Sequence, residues 1–536
     1  MEDVTGITTY NYDAINQLIA VTCPGNKTIS YSYDAVGNRA SMTDPDDGVT
    51  TYIYDARNLL SLLINPYGEI TTWQYDVLGR VTTMTYANGT LAEYDYDAAG
   101  QLIALRNLKS DRYVISIFTY SYDAVGRRTQ VEEANGDVVS WSYDELGQLT
   151  HEWRSGVNGY DVTYTYDEVG NRLAKEDGAV IITYTYDAAN QLQTVYDGSG
   201  ISTYSYDANG NTILEQRPND DRVTYSWNCE NQLVKTELPV GVINTYSLDG
   251  DGKRYSIEDS AGLRKLIWDV HNLLAELDGD GVTLANYIIA PQQYGHLISQ
   301  RRGANSSFHH FDALGSTNKL TDSDATERVE YLYRAFGEQS TINGTSTNPF
   351  TWMGKLGYYR QADTSDYYVR ARILTPLMGR WLSRDPLQST MNQRSLTSLM
   401  NLYNYAYNMP FLFADPSGLE VDDCCPTVSC YSTYVECTKA VGQDWLECAQ
   451  DCVPSIWRDE VIVTVSCIIF GVVTCGAGGV ACEIITNVIG GIGTRRCLES
   501  CDEIIDEERS TCDFAYCNCL HEDARYCAQQ VYDICW

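Results

Sequence analysis

The stretch 31-YSYDAVGNR-39 decides the fold, because the chain keeps rewriting it. The same Tyr-Asp-x-x-Gly returns at 121-SYDAVGRR-128, 165-TYDEVGNRL-173 and 205-SYDANGN-211. Tyr-Asp recurs at Tyr12, Tyr33, Tyr54, Tyr75, Tyr96, Tyr122, Tyr143, Tyr166, Tyr186 and Tyr206, most often 21 residues apart. Degenerate copies follow at Trp227-Asn228, Leu248-Asp249 and Trp268-Asp269. A fixed period held over thirteen copies is a structural array. Within a unit, 163-TYTYD-167 and 183-TYTYD-187 alternate small polar and aromatic residues, which suits a strand with one aromatic face. Asp-x-x-Gly then suits a type I turn, with Asp bonding back to the backbone and Gly taking the positive φ. A second turn follows about ten residues on, at Asp47-Gly48, Asn88-Gly89, Asn135-Gly136, Asp177-Gly178 and Asp197-Gly198, and these dipeptides are hairpin signals. One unit is one hairpin. A lone hairpin is marginal in water, so units must pair edge to edge. The expectation is a mainly β protein: a long, spiralling antiparallel sheet with Tyr along it, in which each Asp is a turn residue and each Tyr a packing residue.

Composition narrows the function classes. The chain has 536 residues, 42 of them Tyr and only 9 Phe, and a formal net charge of −35. Binding nucleic acid through a basic surface is excluded, since phosphate affinity needs clustered Lys and Arg. There is no Gly-rich phosphate loop, His-Glu-x-x-His, nucleophile elbow or Ser-His-Asp set, and no cofactor site is expected. Asp249-Gly-Asp251-Gly and Asp278-Gly-Asp280-Gly resemble calcium-loop fragments. The first has Ser260 where the closing acid belongs, and both read as tight turns; no metal site is expected. The opening MEDVTGITTYNYD lacks the basic and apolar regions of a secretory leader and starts within a repeat, which points to the C-terminal piece of something longer.

Cysteine use divides the chain. Only Cys23 and Cys229 precede residue 424, and the other sixteen lie in the tail. That density reads as a disulfide framework made outside a reducing cytosol, although an all-Cys metal site stays open. Cys448-x3-Cys452 and Cys497-x3-Cys501 are pairs at i,i+4, each on one helix face. In two antiparallel helices, facing positions keep a constant index sum. Cys452 with Cys497, Cys448 with Cys501, Cys437 with Cys512, Cys430 with Cys519 and Cys467 with Cys482 all share one. The expected tail is therefore a small, α-rich, disulfide-laddered hairpin. Its centre, 461-VIVTVSCIIFGVVTCGAGGVAC-482, is uncharged and long enough to span a bilayer. A membrane-inserting hairpin, a buried core hairpin and a β-hairpin turning at the glycines all remain open. The tail carries 20 acidic and 6 basic residues and a single His, His521, which speaks against a nuclease.

The array resembles the YD repeats of the RHS family, and the segment after it resembles the RHS repeat-associated core. The stretches that carry the likeness are 308-FHHFDALGSTNKLTD-322, 333-YRAFGE-338, 367-YYVRARILTPLMGRWLSRDP-386 and 401-NLYNYAYNMPFLFADPSGL-419. It covers roughly 1–419 and implies repeats over 1–300, a core over 301–419 and a variable tail over 420–536. By that resemblance the repeats form a β-shell plugged at one end by the core, and in bacterial polymorphic toxins the tail is an effector held as cargo. The core is then at most a single-turnover aspartyl autoprotease cutting between Leu419 and Glu420, with Arg384, Asp385 and Asp415 at the matching positions. The alternative is that Asp385 and Asp415 only set Asp-Pro turns and an Arg pair. The resemblance further implies a secreted or cell-surface protein whose partners are its own tail, an immunity protein, and a target membrane or cell-surface glycan. The competing function is an uncleaved adhesion protein with a disulfide-rich knob.

Overall fold

The computed structural model describes residues 2–3, 5–386 and 401–419, with three short strands beyond them, Asp422–Asp423, Val472–Gly476 and Val480–Ile485. The chain divides into two compact units, Met1–Thr427 and Val428–Trp536.

In the first unit, 32 strands from Thr9–Tyr12 to Gln339–Gly344 form one sheet among the described residues. Every strand pairs antiparallel with its neighbours in sequence, for example Lys27–Tyr33 with Arg39–Thr43 and Arg39–Thr43 with Val49–Tyr54. The turns are those the motif predicts. The Asp34 carboxylate accepts from the N–H groups of Val36 (3.0 Å) and Asn38 (2.9 Å). Gly37 closes the turn at φ +96°, where a side chain would be strained. The opposite end turns at Asp44–Asp47 and Tyr86–Gly89. Strands run past residue 300 without a break, through Asn305–Phe311, Thr317–Asp322 and Glu327–Tyr333.

The surplus of Tyr over Phe has a specific cause. In unit after unit, the Tyr of Tyr-Asp donates its hydroxyl hydrogen to a main-chain carbonyl of the hairpin before. Tyr33 reaches Leu18 (2.7 Å), Tyr54 Arg39 (3.0 Å), Tyr75 Leu60 (2.7 Å) and Tyr96 Val81 (3.0 Å). Where the motif degenerates to Trp, the indole N–H does the same work: Trp227 bonds the Thr212 carbonyl and Trp268 the Arg254 carbonyl, both at 2.7 Å. The ring buries apolar area while its polar end satisfies a backbone acceptor. Phe cannot do the second.

The sheet rolls up on itself. Tyr31 donates to Asp269 (2.9 Å), Tyr67 accepts from Asn286 (2.6 Å), Asn88 donates to Thr321 (2.9 Å) and Lys175 pairs with Glu338 (2.6 Å). The later strands are thereby buried on both faces. Ile267, Ile288 and Ile298 join a cluster with Ile29, Tyr31 and Leu63 of the early strands. Their neighbours Leu266, Tyr287 and Leu297 join another with Phe350, Tyr359 and Tyr368 of the closing segment. All six residues of Asn272–Leu277 are buried, whereas Val49–Tyr54 alternates. A strand covered on both sides reads as a continuous apolar run, as NLLAEL nearly does.

The closing segment, residues 349–419, carries a small sheet of Tyr359–Arg360, Tyr367–Val369, Arg372–Thr375 and Arg380–Trp381. It seats against the Tyr-Asp turns at one rim. Asn408 donates to Gln148 (2.9 Å) and to the Gly170 carbonyl (2.8 Å), Tyr403 to the Gly210 carbonyl (2.8 Å) and Arg380 to the Asn190 carbonyl (2.6 Å).

In the second unit, Val472–Gly476 and Val480–Ile485 form an antiparallel hairpin. Over these residues the expected helices give way to paired strands, which suits their β-branched Val, Thr and Ile. The rest of the tail expected to be α-rich, with the rest of its bilayer-length stretch, lies outside the described residues. So do the cysteine pairings, of which only Cys482 falls on a described strand.

Candidate functional site

Two Asp-Pro dipeptides far apart in sequence are brought to one guanidinium. Asp385 arrives on the segment after Arg380–Trp381, which is tied to residues 401–403: the Trp381 N–H bonds the Tyr403 carbonyl (2.9 Å) and the Asp385 N–H bonds the Leu402 carbonyl (3.0 Å). Asp415 is bracketed by the Tyr358 hydroxyl, which accepts from its N–H (3.0 Å) and donates to its carbonyl (2.8 Å). Between the two acids stands Arg372. Its Nη2 lies 2.7 Å from Asp415 Oδ2 and 3.2 Å from Asp385 Oδ2. The site is buried: Arg372 is 3% exposed, Asp385 8% and Asp415 0%.

The same groups hold the chain just before residue 420. The other Asp415 oxygen accepts from the Leu419 N–H (2.9 Å) and the Ser417 hydroxyl (3.1 Å). Arg372 Nε donates to the Gly418 carbonyl, and Arg370 Nη1 donates to the Pro416 carbonyl. Gly418 sits at φ +72°, and a Cβ there would overlap the Val369 carbonyl, so the close approach of this turn to the Arg372 strand requires glycine.

Burial sets the electrostatics. Desolvation pushes the Asp415 carboxyl up to about 6. The Arg372 charge works against that rise and Asp385 adds to it. Desolvation also pulls the Arg370 guanidinium down to about 10. Two carboxyls that share one cation and differ in burial can divide the roles of proton acceptor and proton donor.

Of the residues singled out from sequence, Asp385, Asp415 and Leu419 meet here. Arg384 is exposed, with its side chain against Gly210 at the rim, and Arg372 stands between the carboxylates instead. Glu420 lies outside the described residues. The overlooked arginines are Arg370 and Arg372. Their signal was the Arg-x-Arg of 367-YYVRARILTP-376, two cations in an otherwise buried sheet. Among the described residues no cluster of His, Cys, Asp and Glu is set to hold a metal, and no helix is long and apolar enough to cross a membrane.

The repeats and the rolled sheet point to a known lineage. A family described as teneurin YD-shell matches residues 1–139 and 69–182, and the RHS repeat matches 186–221. Residues 1–182 and 186–221 are RHS/YD repeats. Its relatives include the tRNA3(Ser)-specific nuclease WapA of Bacillus spizizenii, 26% identical over 276 residues, which are 50% of this chain and 11% of that protein. Double-stranded DNA deaminase toxin A of Burkholderia cenocepacia is 27% identical over 240 residues, covering 39% of this chain and 16% of the toxin. This RHS chain thus corresponds to a small part of the length of either relative. Among solved structures, the Photorhabdus luminescens Tc holotoxin pore superposes with a TM-score of 0.56 at 18% identity, over 74% of this chain and 22% of that one. At that identity the likeness is one of fold.

Proposed function

We propose that this RHS shell carries residues 420–536 as a C-terminal effector and frees them by hydrolysing the Leu419–Glu420 bond. The reading rests on one observation above all: the carboxylate that accepts the Leu419 N–H shares Arg372 with a second carboxylate. Water adds to the Leu419 carbonyl carbon as the ionised carboxyl of the pair takes its proton. The protonated carboxyl gives its proton to the Glu420 nitrogen as the C–N bond breaks. Leu419 is left with a carboxylate and Glu420 with an amine. With Asp415 raised to about 6, its carboxyl still holds, in mildly acidic solution, the proton that the leaving nitrogen needs. A relative named as a toxin, the double-stranded DNA deaminase toxin A, supports the carrier role. The effector acts outside the cytosol, at a membrane or cell surface, and an immunity protein protects the producer.

Intact mass spectrometry of the full chain tests this. Two masses meeting at Leu419 and Glu420 are expected, and Asp415→Asn or Asp385→Asn should leave one. A single mass for the wild-type chain after prolonged incubation in mild acid would sink the cleavage reading. The acids would then be no more than an Arg pair in a plug, and the uncleaved interaction protein would take its place.

A further inference from the structure

We propose that Arg370 is a positioning residue that makes presentation of the Leu419–Glu420 bond depend on docking of the closing segment against two late-strand turns, a role that builds on the cleavage reading above. Arg370 is 7% exposed. Both of its hydrogen bonds among the described residues go to main-chain carbonyls. Nε donates to His271 (2.6 Å), in the turn between Gly262–Asp269 and Asn272–Leu277, and Nη1 donates to Pro416. The guanidinium also lies 5.0 Å from the centre of the Tyr294 ring, and that ring is 5.2 Å from His271. One side chain therefore touches two loops of the late strands and the turn that bears the candidate site.

A cation buried among amides is costly unless each N–H finds an acceptor. Here the acceptors come from separate parts of the fold. If the His271 turn is not in place, Nε loses its partner and the fork loses its aim at Pro416. Arg370 also holds φ at +48°, a conformation non-glycine residues adopt at a cost and keep only where the surroundings fix it. Two residues on, Arg372 binds Gly418 and both carboxylates. The pair grips the Pro416 and Gly418 carbonyls from outside the turn while Asp415 takes the Leu419 N–H from within. The catalytic groups and the bond are thus brought into register by a contact that exists only when the closing segment is seated on the late-strand turns. A chain with that segment undocked would keep its tail attached.

The full-length protein carries the test. Arg370→Gln and Arg370→Lys are compared with wild type for the single-turnover rate of the 419/420 split as a function of pH. Amide exchange is read in parallel by mass spectrometry in peptides covering 411–419 and Asn272–Leu277. The Gln variant should cleave about a hundredfold more slowly, a loss that a misplacement near 1 Å can produce, and Lys should recover part of the rate. Exchange should rise in 411–419 alone. A Gln variant with wild-type rate and exchange would overturn the proposal. So would equal loss of protection across Asn272–Leu277, which would make Arg370 a general prop. If wild type itself does not cleave, the functional reading fails separately, and the exchange pattern alone decides what Arg370 does.

Discussion

Asp415 is asked to do three things at once: accept the Leu419 N–H, pair with Arg372 and stay fully buried. Those demands predict how release should depend on pH. With the carboxyl raised to about 6, the fraction of Asp415 that holds its proton falls about tenfold for each pH unit above that value. Cleavage should therefore slow steadily from about pH 6 to about pH 8, and Asp415→Asn or Asp385→Asn should abolish it at every pH. A rate that is flat over that range would exclude Asp415 as the proton donor. The two acids were legible in sequence because each stands in an Asp-Pro of a recognisable motif. Arg372 was not. It meets Asp415 across 43 residues of chain, a distance closed by contacts remote in sequence, among them Tyr358 with Asp415 and Trp381 and Asp385 with residues 402–403. Arg384, adjacent to Asp385 in sequence, was the natural guess, but its side chain turns out to the rim.

At the scale of the hairpin, the turn chemistry could be read directly, since Asp-x-x-Gly is local and its hydrogen bonds span four residues. The partner of the Tyr hydroxyl could not, because it belongs to the preceding hairpin. That partner yields a prediction with an internal control. Tyr75→Phe keeps the ring and deletes the bond to the Leu60 carbonyl, and should cost about 1 kcal/mol in chemical denaturation. The Tyr12 hydroxyl has no hydrogen bond among the described residues and Tyr12 is 57% exposed, so Tyr12→Phe should change stability by less than about 0.5 kcal/mol. Equal effects would mean that the hydroxyls are ornamental and only the rings matter. The strand Asn305–Phe311 offers a second case. His309 and His310 are fully buried, and desolvation lowers each to about 3. Between about 3 and about 6.5 the unfolded chain binds protons that the folded one refuses, so each ring weakens the fold as pH falls through that window. The buried Asp312, Asp366 and Asp415, raised to about 6, about 7 and about 6, act in the opposite direction. The difference between proteins is therefore the clean measurement. Relative to wild type, His309→Gln/His310→Gln should gain stability on going from pH 6 to pH 4, by a little under about 1.4 kcal/mol per pH unit for each ring removed. A constant difference would show that the rings are already charged in the fold.

For the whole molecule, the repeat fixes a strip of sheet but not how it closes. Tyr31 finds Asp269 and Lys175 finds Glu338 only once the strip has rolled, and no period in the sequence encodes which unit faces which. The closing segment supplies the missing constraint by seating on one set of turns and leaving others bare. Gly79 and Gly210 occupy the same place in their repeats, with φ of +81° and +88°. They differ in what lies beyond. A Cβ on Gly79 would meet only the Leu59 side chain at 3.5 Å, whereas one on Gly210 would overlap Arg384 Cδ and approach the Tyr403 hydroxyl at 2.6 Å. Both Gly→Ala changes carry the same backbone strain, about 1 kcal/mol. Only Gly210→Ala should add the cost of pushing the closing segment off the rim, a further 1–3 kcal/mol or so by the usual price of overpacking. Since Arg384 precedes Asp385, the same displacement moves one carboxyl of the pair. Gly210→Ala should then slow the 419/420 split while Gly79→Ala leaves it at the wild-type rate. Matching losses of stability in the two variants would mean that the segment does not rest on this rim. The link between a repeat turn and the candidate site would then have to run through the His271 turn and Arg370 alone.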